Sequence, residues 1–278
     1  MSSAASETKV CLLTGASGTI GYAIAQALKA SSTPSTNWHI ILIGRRPPPA
    51  SITHIDKKPR MVLPYDEFLK AEMTNESSVT STLDSHFESL QKSPDANVQS
   101  LNRLDLLVNC AGCSLGNEPI VDVSAETFKN VMEVNVIVPF ILSKWAMKKM
   151  ATPSGGRIIN IGSIAGESPR LHSVPYTTSK YALGGLTRAL SIEGRHLAQT
   201  TKSTEAGEGV VAVCQINPGN VRSAIMSEEE AARREKEEGF VEADDLAKYV
   251  ALVASLPNEA NVLESTVMPT RQPLVGRG

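Results

Sequence analysis

Residues 8–21 read TKVCLLTGASGTIG, and this stretch decides the fold class. Its first half is a short apolar run typical of a buried strand, and residues 22–30 carry apolar side chains at helical spacing. We predict that Gly15 makes a tight turn, Gly18 lets the backbone approach a pyrophosphate, and Gly21 packs the helix on the strand. The helix N-terminus would then offer N–H groups and a positive dipole end to phosphate. The glycines alone also fit a simple βα turn.

Outward from this stretch, apolar runs alternate with helical patterns along the whole chain. The runs predicted as strands are residues 38–43, 68–73, 104–108, 157–161, 210–216 and 261–268. The segments predicted as helices are residues 74–90, 124–150, 176–197, 223–239 and 244–254. Such alternation predicts an α/β fold with one doubly wound parallel sheet between two helical layers.

The segments between these elements predict one domain over residues 1–278. Prolines punctuate residues 47–66, which we interpret as an irregular insertion, and residues 91–103 have the composition of a polar loop. Residues 269–278 have the composition of a loose tail. No linker is long enough to divide the chain.

Composition and charge exclude several classes of function. The chain has 278 residues, 41% of them hydrophobic, and a formal net charge of −2, so we expect no basic face and no nucleic acid partner. The first residues lack the apolar core of a signal peptide, and no apolar run is long enough for a membrane helix. We therefore expect a cytoplasmic protein without a membrane partner.

The four cysteines give a weak indication of chemistry. Cys110 and Cys113 form a C-x-x-C, which suits a redox pair or half of a metal site. A tetrahedral zinc needs two more ligands, and Cys11 and Cys214 lie in apolar strand-like runs. We therefore predict packing residues in a turn, and no metal.

The end of the second predicted strand bears on cofactor choice. An NAD site places an acidic residue near this point to hold the ribose 2′-OH, and none is present here. Arg45 and Arg46 follow the strand instead, and a planar guanidinium suits the 2′-phosphate of NADP. The pair therefore favours NADP(H) over NAD(H), and a solvated arginine pair is the alternative.

Residues 163–180, SIAGESPRLHSVPYTTSK, carry the candidate chemistry. If Tyr176 opens a helix, Lys180 lies one turn further along the same face. A phenol ionises near pH 10, and a neighbouring ammonium lowers that pKa, so the tyrosine can serve as a general acid or base. Ser163 can hold a substrate oxygen by a hydrogen bond. Taken alone, the Y-x-x-x-K pattern also fits an ordinary surface helix pair.

One further polar residue stands out in the predicted helix 124–150. Asn135 lies within an apolar face, so its amide needs buried hydrogen-bond partners. It either caps a local backbone irregularity or belongs to a site. We expect Ser124 to start this helix and Pro139 to kink it.

Together these residues resemble the short-chain dehydrogenase/reductase family over residues 8–255. The turn 14–21, Asn109-x-Ala111-Gly112, Asn135, Ser163, Tyr176-x-x-x-Lys180 and Pro218-Gly219 follow the family's order. The resemblance implies a Rossmann fold and a reaction that interconverts a carbonyl and an alcohol. Tyr176 would transfer the proton, Lys180 would lower its pKa and hold the nicotinamide ribose, Ser163 would orient the substrate oxygen, and Asn135 would support a water.

The resemblance also implies the cofactor contacts and the partners. The implied cofactor-binding residues are Gly15, Ser17, Thr19, Ile20, Gly21, Arg45, Arg46, Glu72, Met73, Asn109, Ala111, Gly112, Tyr176, Lys180, Pro218, Gly219, Val221 and Ser223. The candidate substrate contacts are Cys113, Leu115, Ile164, His172, Asn220 and Met226. The implied partners are a small carbonyl or alcohol substrate and further copies of the chain, as a homodimer or homotetramer.

Two other functions stay open at this point. A dinucleotide-binding sensor can use the same fold, with the charged stretch 223–239 as a partner surface. The glycine spacing G-x-x-G-x-x-G is usual in longer, epimerase-like members of the family, although those usually carry a larger substrate region.

Overall fold

The computed structural model describes residues 7–34, 36–48, 65–200, 209–222 and 228–274. The strands are β1 (Glu7–Thr14), β2 (Thr36–Gly44), β3 (Glu67–Lys70), β4 (Leu106–Asn109), β5 (Gly156–Ile161), β6 (Val211–Pro218) and β7 (Glu264–Val267). The helices are α1 (Thr19–Ala30), α2 (Glu76–Gln91), α3 (Ala96–Gln99), α4 (Ala125–Met132), α5 (Val138–Met150), α6 (Val174–Thr200), α7 (Glu228–Glu237) and α8 (Ala243–Ser255). Short 3-10 turns cover Ile120–Asp122 and Ile164–Gly166.

The strands form one parallel sheet in the order β3-β2-β1-β4-β5-β6-β7 within the described residues. The order runs outward in both directions from the neighbours β1 and β4, which confirms the predicted doubly wound sheet. Ligands bind such sheets beyond the carboxyl ends of the strands, at the point where the order reverses.

Helices cover both faces of the sheet, so the central strands are buried on both sides. Along β1, Cys11 and Leu13 pack in the cluster that includes α1 and α8, whereas Val10 and Leu12 pack in the cluster that includes α2 and α5. Successive strand residues point to opposite faces, so an uninterrupted apolar run is what a central parallel strand requires. Burying each leucine side chain is worth about 1.5–3 kcal/mol.

The predicted helical stretch over residues 124–150 is present, but it is not a uniform α-helix. Ser124 does cap its start, by accepting a hydrogen bond from the Thr127 amide at 3.0 Å. However, α4 ends at Met132, and a π-helical turn covers Glu133–Ile137 before α5 begins. Pro139 is the second residue of α5 and directly follows this π-helical turn, where the helical hydrogen-bond pattern changes.

Other parts of the described chain also differ from the predictions. The third strand ends at Lys70 rather than at residue 73. The predicted loop 91–103 contains α3, because Asp95 caps this turn by accepting the Asn97 amide at 2.8 Å. The predicted loose tail is packed where the structure describes it, since Gln272 is only 3% exposed. Residues 49–64 of the predicted insertion lie outside the described residues.

Candidate active site

The candidate residues gather where parallel strands end. The glycine-rich turn follows β1, the segment from Asn109 follows β4, Ser163 follows β5, and residues 218–221 close β6. Helix α6 brings Tyr176 and Lys180 to the same edge. The arrangement places a turn suited to phosphate beside a polar cluster.

The glycine turn fits tightly against the segment that follows β4. Gly15 has a φ of 72°, and a Cβ added there would lie 2.6 Å from the Ala111 nitrogen. A Cβ on Gly21 would lie 2.4 Å from the Gly15 oxygen, so the helix packs directly on the turn. Gly18 has one close neighbour, the Gly15 oxygen at 3.4 Å. Glycine at 15 and 21 is thus needed for packing, and Gly18 leaves its surroundings open.

The start of α1 has the features of an anion site. Gly18 occupies the N-cap position, no side chain caps the helix, and no acidic residue lies in its first turn. An uncapped helix N-terminus combines amide donors with a positive dipole end, so this turn can hold a pyrophosphate.

Thr14 joins this turn to the end of β4, a role for which no local sequence pattern exists. Its Oγ1 accepts hydrogen bonds from the Cys110 and Ala111 amides, both at 3.0 Å. It also lies 3.5 Å from the Val108 oxygen, to which it can donate. One buried hydroxyl therefore fixes the wall of the cleft opposite the glycine turn.

Lys180 is a buried cation beside the phenol ring of Tyr176. It is 5% exposed, its Nζ donates to the Ile161 oxygen at 3.0 Å, and it lies 5.6 Å from the centre of the Tyr176 ring. A Cβ on Gly112 would lie 3.9 Å from the same Nζ. The ammonium is thus held between α6, the β5 end and the segment after β4.

Asn135 lies in the π-helical turn and binds two different segments. Its Oδ1 accepts the Cys113 amide at 2.8 Å, and its Nδ2 donates to the Cys113 oxygen and to Ser179 Oγ, both at 2.9 Å. Ser179 Oγ in turn donates to the backbone carbonyl oxygen of Tyr176 at 2.7 Å. Asn135 therefore lies in a backbone irregularity and joins the segment after β4 to the Tyr176 turn, and its membership of a site stays a prediction.

Ser163 is buried immediately after β5. Its Oγ accepts the Ala165 amide at 3.1 Å, and its own amide donates to Asn217 Oδ1 at 3.2 Å. Asn217 also accepts from Gln215 Nε2 at 2.7 Å and donates to Glu167 Oε1 at 2.9 Å.

A chain of buried polar side chains continues from Gln215 beneath the cluster, and Asn109 is its one member that was predicted as a site residue. Its members, joined by successive hydrogen bonds, are Gln215, Thr187, Asn160, Asn109 and Ser143. Their signal was polar residues inside otherwise apolar runs, in β5 (RIINI) and β6 (VVAVCQI). Buried polar groups of this kind are nearly always hydrogen-bonded, so the chain fixes the strand ends relative to α6.

The strands on the other side of β1 end in exposed polar residues. Arg45 and Arg46 follow β2 and are exposed, and within the described ranges neither has a carboxylate partner. Glu72 and Met73 follow β3, and Glu72 accepts a hydrogen bond from Thr74 at 3.3 Å. Two exposed guanidinium groups therefore lie at this end of the sheet.

The cysteines have the character of packing residues. All four are free. Burial raises the pKa of the Cys110 thiol to about 12, against an opposing effect of the Lys180 charge, and burial raises the pKa of Cys113 in the same way. Both thiols therefore stay protonated near neutral pH, where a thiol is a poor nucleophile.

The candidate substrate contacts are dispersed. Asn220 is 3% exposed and its side-chain amide is bound by Arg234 and Glu238, and its role as a substrate contact stays a prediction. Ile164 is 2% exposed, whereas Leu115 and His172 are exposed. Met226, and Ser223 among the predicted cofactor contacts, lie outside the described residues.

Two further observations concern metal binding and membrane-spanning helices. Within the described ranges no three His, Cys, Asp or Glu residues form a group that could hold a metal ion. None of the helices described there is both long enough and apolar enough to cross a membrane.

Known proteins match both the sequence and the fold. The family model described as short chain dehydrogenase matches residues 9–234. An uncharacterized oxidoreductase of Staphylococcus epidermidis is 26% identical over 261 residues, which cover 94% of this chain and 97% of that protein. An uncharacterized oxidoreductase of Thermotoga maritima is 39% identical over 126 residues, which cover 44% of this chain and about half (49%) of that protein.

Solved structures share the fold at lower identity. A serine dehydrogenase complexed with NADP+ has a TM-score of 0.70 and 22% identity, and the match covers 97% of this chain and 98% of that one. At this identity the likeness concerns the fold alone.

Proposed function

The chain belongs to the short-chain dehydrogenase family, and on that premise we propose that it is an NADP(H)-dependent oxidoreductase. The reaction would interconvert a small carbonyl compound and the corresponding alcohol. The observation that carries the proposal is the buried Lys180 ammonium, held 5.6 Å from the Tyr176 ring beside a glycine turn suited to phosphate.

Tyr176 transfers the proton in this proposal. Its phenol gives a proton to the carbonyl oxygen during reduction and takes it back during oxidation. The Lys180 ammonium stabilises negative charge that develops on the phenol oxygen, because a fixed charge in a water-poor site acts strongly on its neighbours. An ammonium has three donors, so besides its bond to Ile161 it can also hold the cofactor ribose.

Two residues position the reacting groups. Ser163 Oγ accepts the Ala165 amide, so its proton can be donated to the substrate oxygen. Asn135 holds Cys113 and, through Ser179, the backbone turn that carries Tyr176. We also propose that Asn135 supports a water, as the family resemblance implies. Asn135 and Lys180 lie close enough for this, because Gly112 packs against both side chains.

The residues present fit a dinucleotide laid across the point where the strand order reverses. The uncapped N-terminus of α1 would hold the pyrophosphate, and Arg45 with Arg46 would hold the 2′-phosphate. The nicotinamide end then lies over β4 to β6, where Tyr176 is. The bound cofactor supplies the hydride. The serine dehydrogenase of matching fold binds NADP+, which supports this cofactor class.

Turnover tests the reaction class. NADPH oxidation is followed against ketones, aldehydes, quinones and keto-steroids with the wild type, Tyr176→Phe and the matched control Tyr181→Phe. Tyr181 is on the same helix, but it is exposed and its hydroxyl donates to the backbone carbonyl oxygen of Glu167. Loss of a general acid should lower kcat by about 10²–10⁴-fold in Tyr176→Phe only. Full activity of Tyr176→Phe contradicts the assignment. Tight NADPH binding without turnover on the whole panel would favour the sensor function.

Cofactor preference is tested at Arg45. A charge-assisted hydrogen bond to phosphate is worth about 1.5–3 kcal/mol, so Arg45→Ala should weaken NADPH binding about 10- to 100-fold and leave NADH binding nearly unchanged. Arg188→Ala is the control, because Arg188 pairs with Glu264 on the surface. Equal losses for both cofactors would contradict the role of Arg45.

Assembly into a homodimer or homotetramer is part of the same proposal. Helices α5 and α6 carry large exposed apolar side chains, of which Phe140 is 42% and Tyr181 48% exposed. Sedimentation velocity at micromolar concentration measures the state directly, and a monomer would contradict it.

A further inference from the structure

The turn that ends β6 is bound by the C-terminal residues of the described chain. Gln272 Oε1 accepts a hydrogen bond from the backbone N–H of Asn220 at 2.7 Å, and both residues are 3% exposed. Glu238 Oε2 accepts from Asn220 Nδ2 at 2.6 Å and from Gln272 Nε2 at 3.1 Å. Arg234 Nη1 completes the cluster by donating to Asn220 Oδ1 at 2.8 Å. We call Asn220, Arg234, Glu238 and Gln272 the amide cluster.

Backbone packing brings the same two segments together. The Gly219 amide donates to the Val267 oxygen at 2.8 Å. A Cβ added to Gly219 would lie 2.2 Å from Gln272 Oε1 and 2.6 Å from Met268 Cβ. The glycine at this position is therefore required by the C-terminal segment, which leaves no room for a side chain.

The C-terminal segment also holds the end of α7. Arg271 donates from Nη1 to the Lys236 oxygen at 3.1 Å and from Nη2 to the Glu235 oxygen at 2.9 Å. A cation at the carboxyl end of a helix meets unpaired carbonyls and the negative end of the dipole. Arg271 and Gln272 thus join the end of α7 to the turn after β6.

The turn after β6, which the amide cluster binds, lies at the end of the sheet where the proposed hydride transfer takes place. A dinucleotide with its 2′-phosphate at Arg45 and its pyrophosphate at α1 crosses the strand-order reversal, so its nicotinamide lies on the side of β5 and β6. The turn 218–221 is the carboxyl end of β6 on that side.

We propose that Gln272 is a positioning residue for hydride transfer, because it holds the Asn220 peptide and thereby the turn that faces the nicotinamide. This inference rests on the proposed function. The same contact explains why a buried amide is found at residue 272, close to the chain end.

A pair of ligands separates this role from general destabilisation. NADPH contains the nicotinamide, whereas 2′-phospho-ADP-ribose contains the same phosphates and adenosine without it. Gln272→Met removes both side-chain hydrogen bonds at similar volume, and we expect about ten-fold weaker NADPH binding with unchanged binding of 2′-phospho-ADP-ribose. Where turnover is present, kcat should also fall and the primary deuterium isotope effect with 4-deuterated NADPH should rise.

Two further variants keep the test decisive. Asn261→Ala removes the donor to the Val213 oxygen at 2.8 Å, in the same C-terminal region but at the opposite end of β6, and should leave NADPH binding unchanged. Gln272→Glu places a second carboxylate against that of Glu238, and the two groups repel each other. In the double variant with Glu238→Gln, the side-chain amide at position 238 can donate a hydrogen bond to the carboxylate at position 272. We therefore expect the double variant to recover most of the affinity that Gln272→Glu loses.

The outcomes distinguish this inference from the proposed function. Equal losses for NADPH and 2′-phospho-ADP-ribose in Gln272→Met, or wild-type NADPH binding, would overturn the positioning role. If Gln272→Met does not fold, an unrecovered double variant overturns it instead. Absence of Tyr176-dependent turnover in the wild type would overturn the proposed reaction, and the two-ligand comparison would still decide the role of Gln272 in binding.

Discussion

Thr14→Val tests whether one buried hydroxyl holds the wall of the cofactor cleft. Thr14 is 1% exposed, and its Oγ1 accepts the amides of Cys110 and Ala111 at 3.0 Å each. Valine has nearly the same shape, so the substitution removes the acceptor without opening a cavity. Thr14→Ser is the matched control, because it keeps the oxygen and loses only a methyl group.

The expected magnitude follows from the two amides left without a partner. A buried donor without an acceptor costs about 1–3 kcal/mol, which gives about 2–6 kcal/mol for two. Cys110 and Ala111 are half-buried, so water can reach them in part. We therefore expect Thr14→Val to lower the free energy of unfolding by about 2–3 kcal/mol, a large part of the roughly 5–15 kcal/mol of a typical protein. Thr14→Ser should cost about 1 kcal/mol, the value of one methyl group.

The assay combines urea unfolding with NADPH titration. The free energy of unfolding reports the lost hydrogen bonds, and the NADPH affinity reports whether residues 110–112 still line the cleft. Thr14→Val should weaken NADPH binding, and Thr14→Ser should not. If the two variants unfold within about 0.5 kcal/mol of each other, the two amides have other acceptors and the reasoning is refuted.

Three other predictions follow from one close contact and from the burial of two titratable side chains. Gly21→Ala should lower the melting temperature, because its Cβ would lie 2.4 Å from the Gly15 oxygen; an unchanged melting temperature would contradict that packing. Burial lowers the pKa of His86 below its ordinary value, so His86 contributes stability above about pH 6.5 that is lost as pH falls below it. The free energy of unfolding of the wild type, measured relative to His86→Phe, should therefore fall from pH 7.5 to pH 5.5, and a constant difference would contradict this. Since burial raises the pKa of Cys110 to about 12, iodoacetamide at pH 8 should label it far more slowly in the folded protein than in urea, and equal rates would refute this.

Much of the fold could be predicted because it depends on local patterns. The runs in β1, β4 and β6 are apolar because both faces of a central parallel strand are buried, and this requirement is visible in a short window of sequence. The cap at Ser124 is likewise local, since its side chain binds an amide three residues away. Patterns of this range predicted the element order and hence the doubly wound sheet.

Local patterns do not predict features that depend on a distant contact. The helical stretch over 124–150 contains a π-helical turn at Asn135, whose side chain binds Cys113, 22 residues earlier in the chain. The burial of Asn220 could likewise not be foreseen, because its partner Gln272 is 52 residues away. The proposed roles of Ser163, Tyr176 and Lys180 remain predictions, although the structure puts their segments at one edge of the sheet.

The sequence by itself determined the order of strands and helices, the glycine turn and the residue types available for chemistry, because periodicity and turn geometry act over a few residues. Only the tertiary structure decided that Thr14 binds amides 96 and 97 residues away, that Lys180 is held by Ile161, and that Gln272 reaches the end of β6. Hydrogen bonds of this kind form between chain segments that folding alone brings within 3 Å, and one sequence carries no local pattern for them.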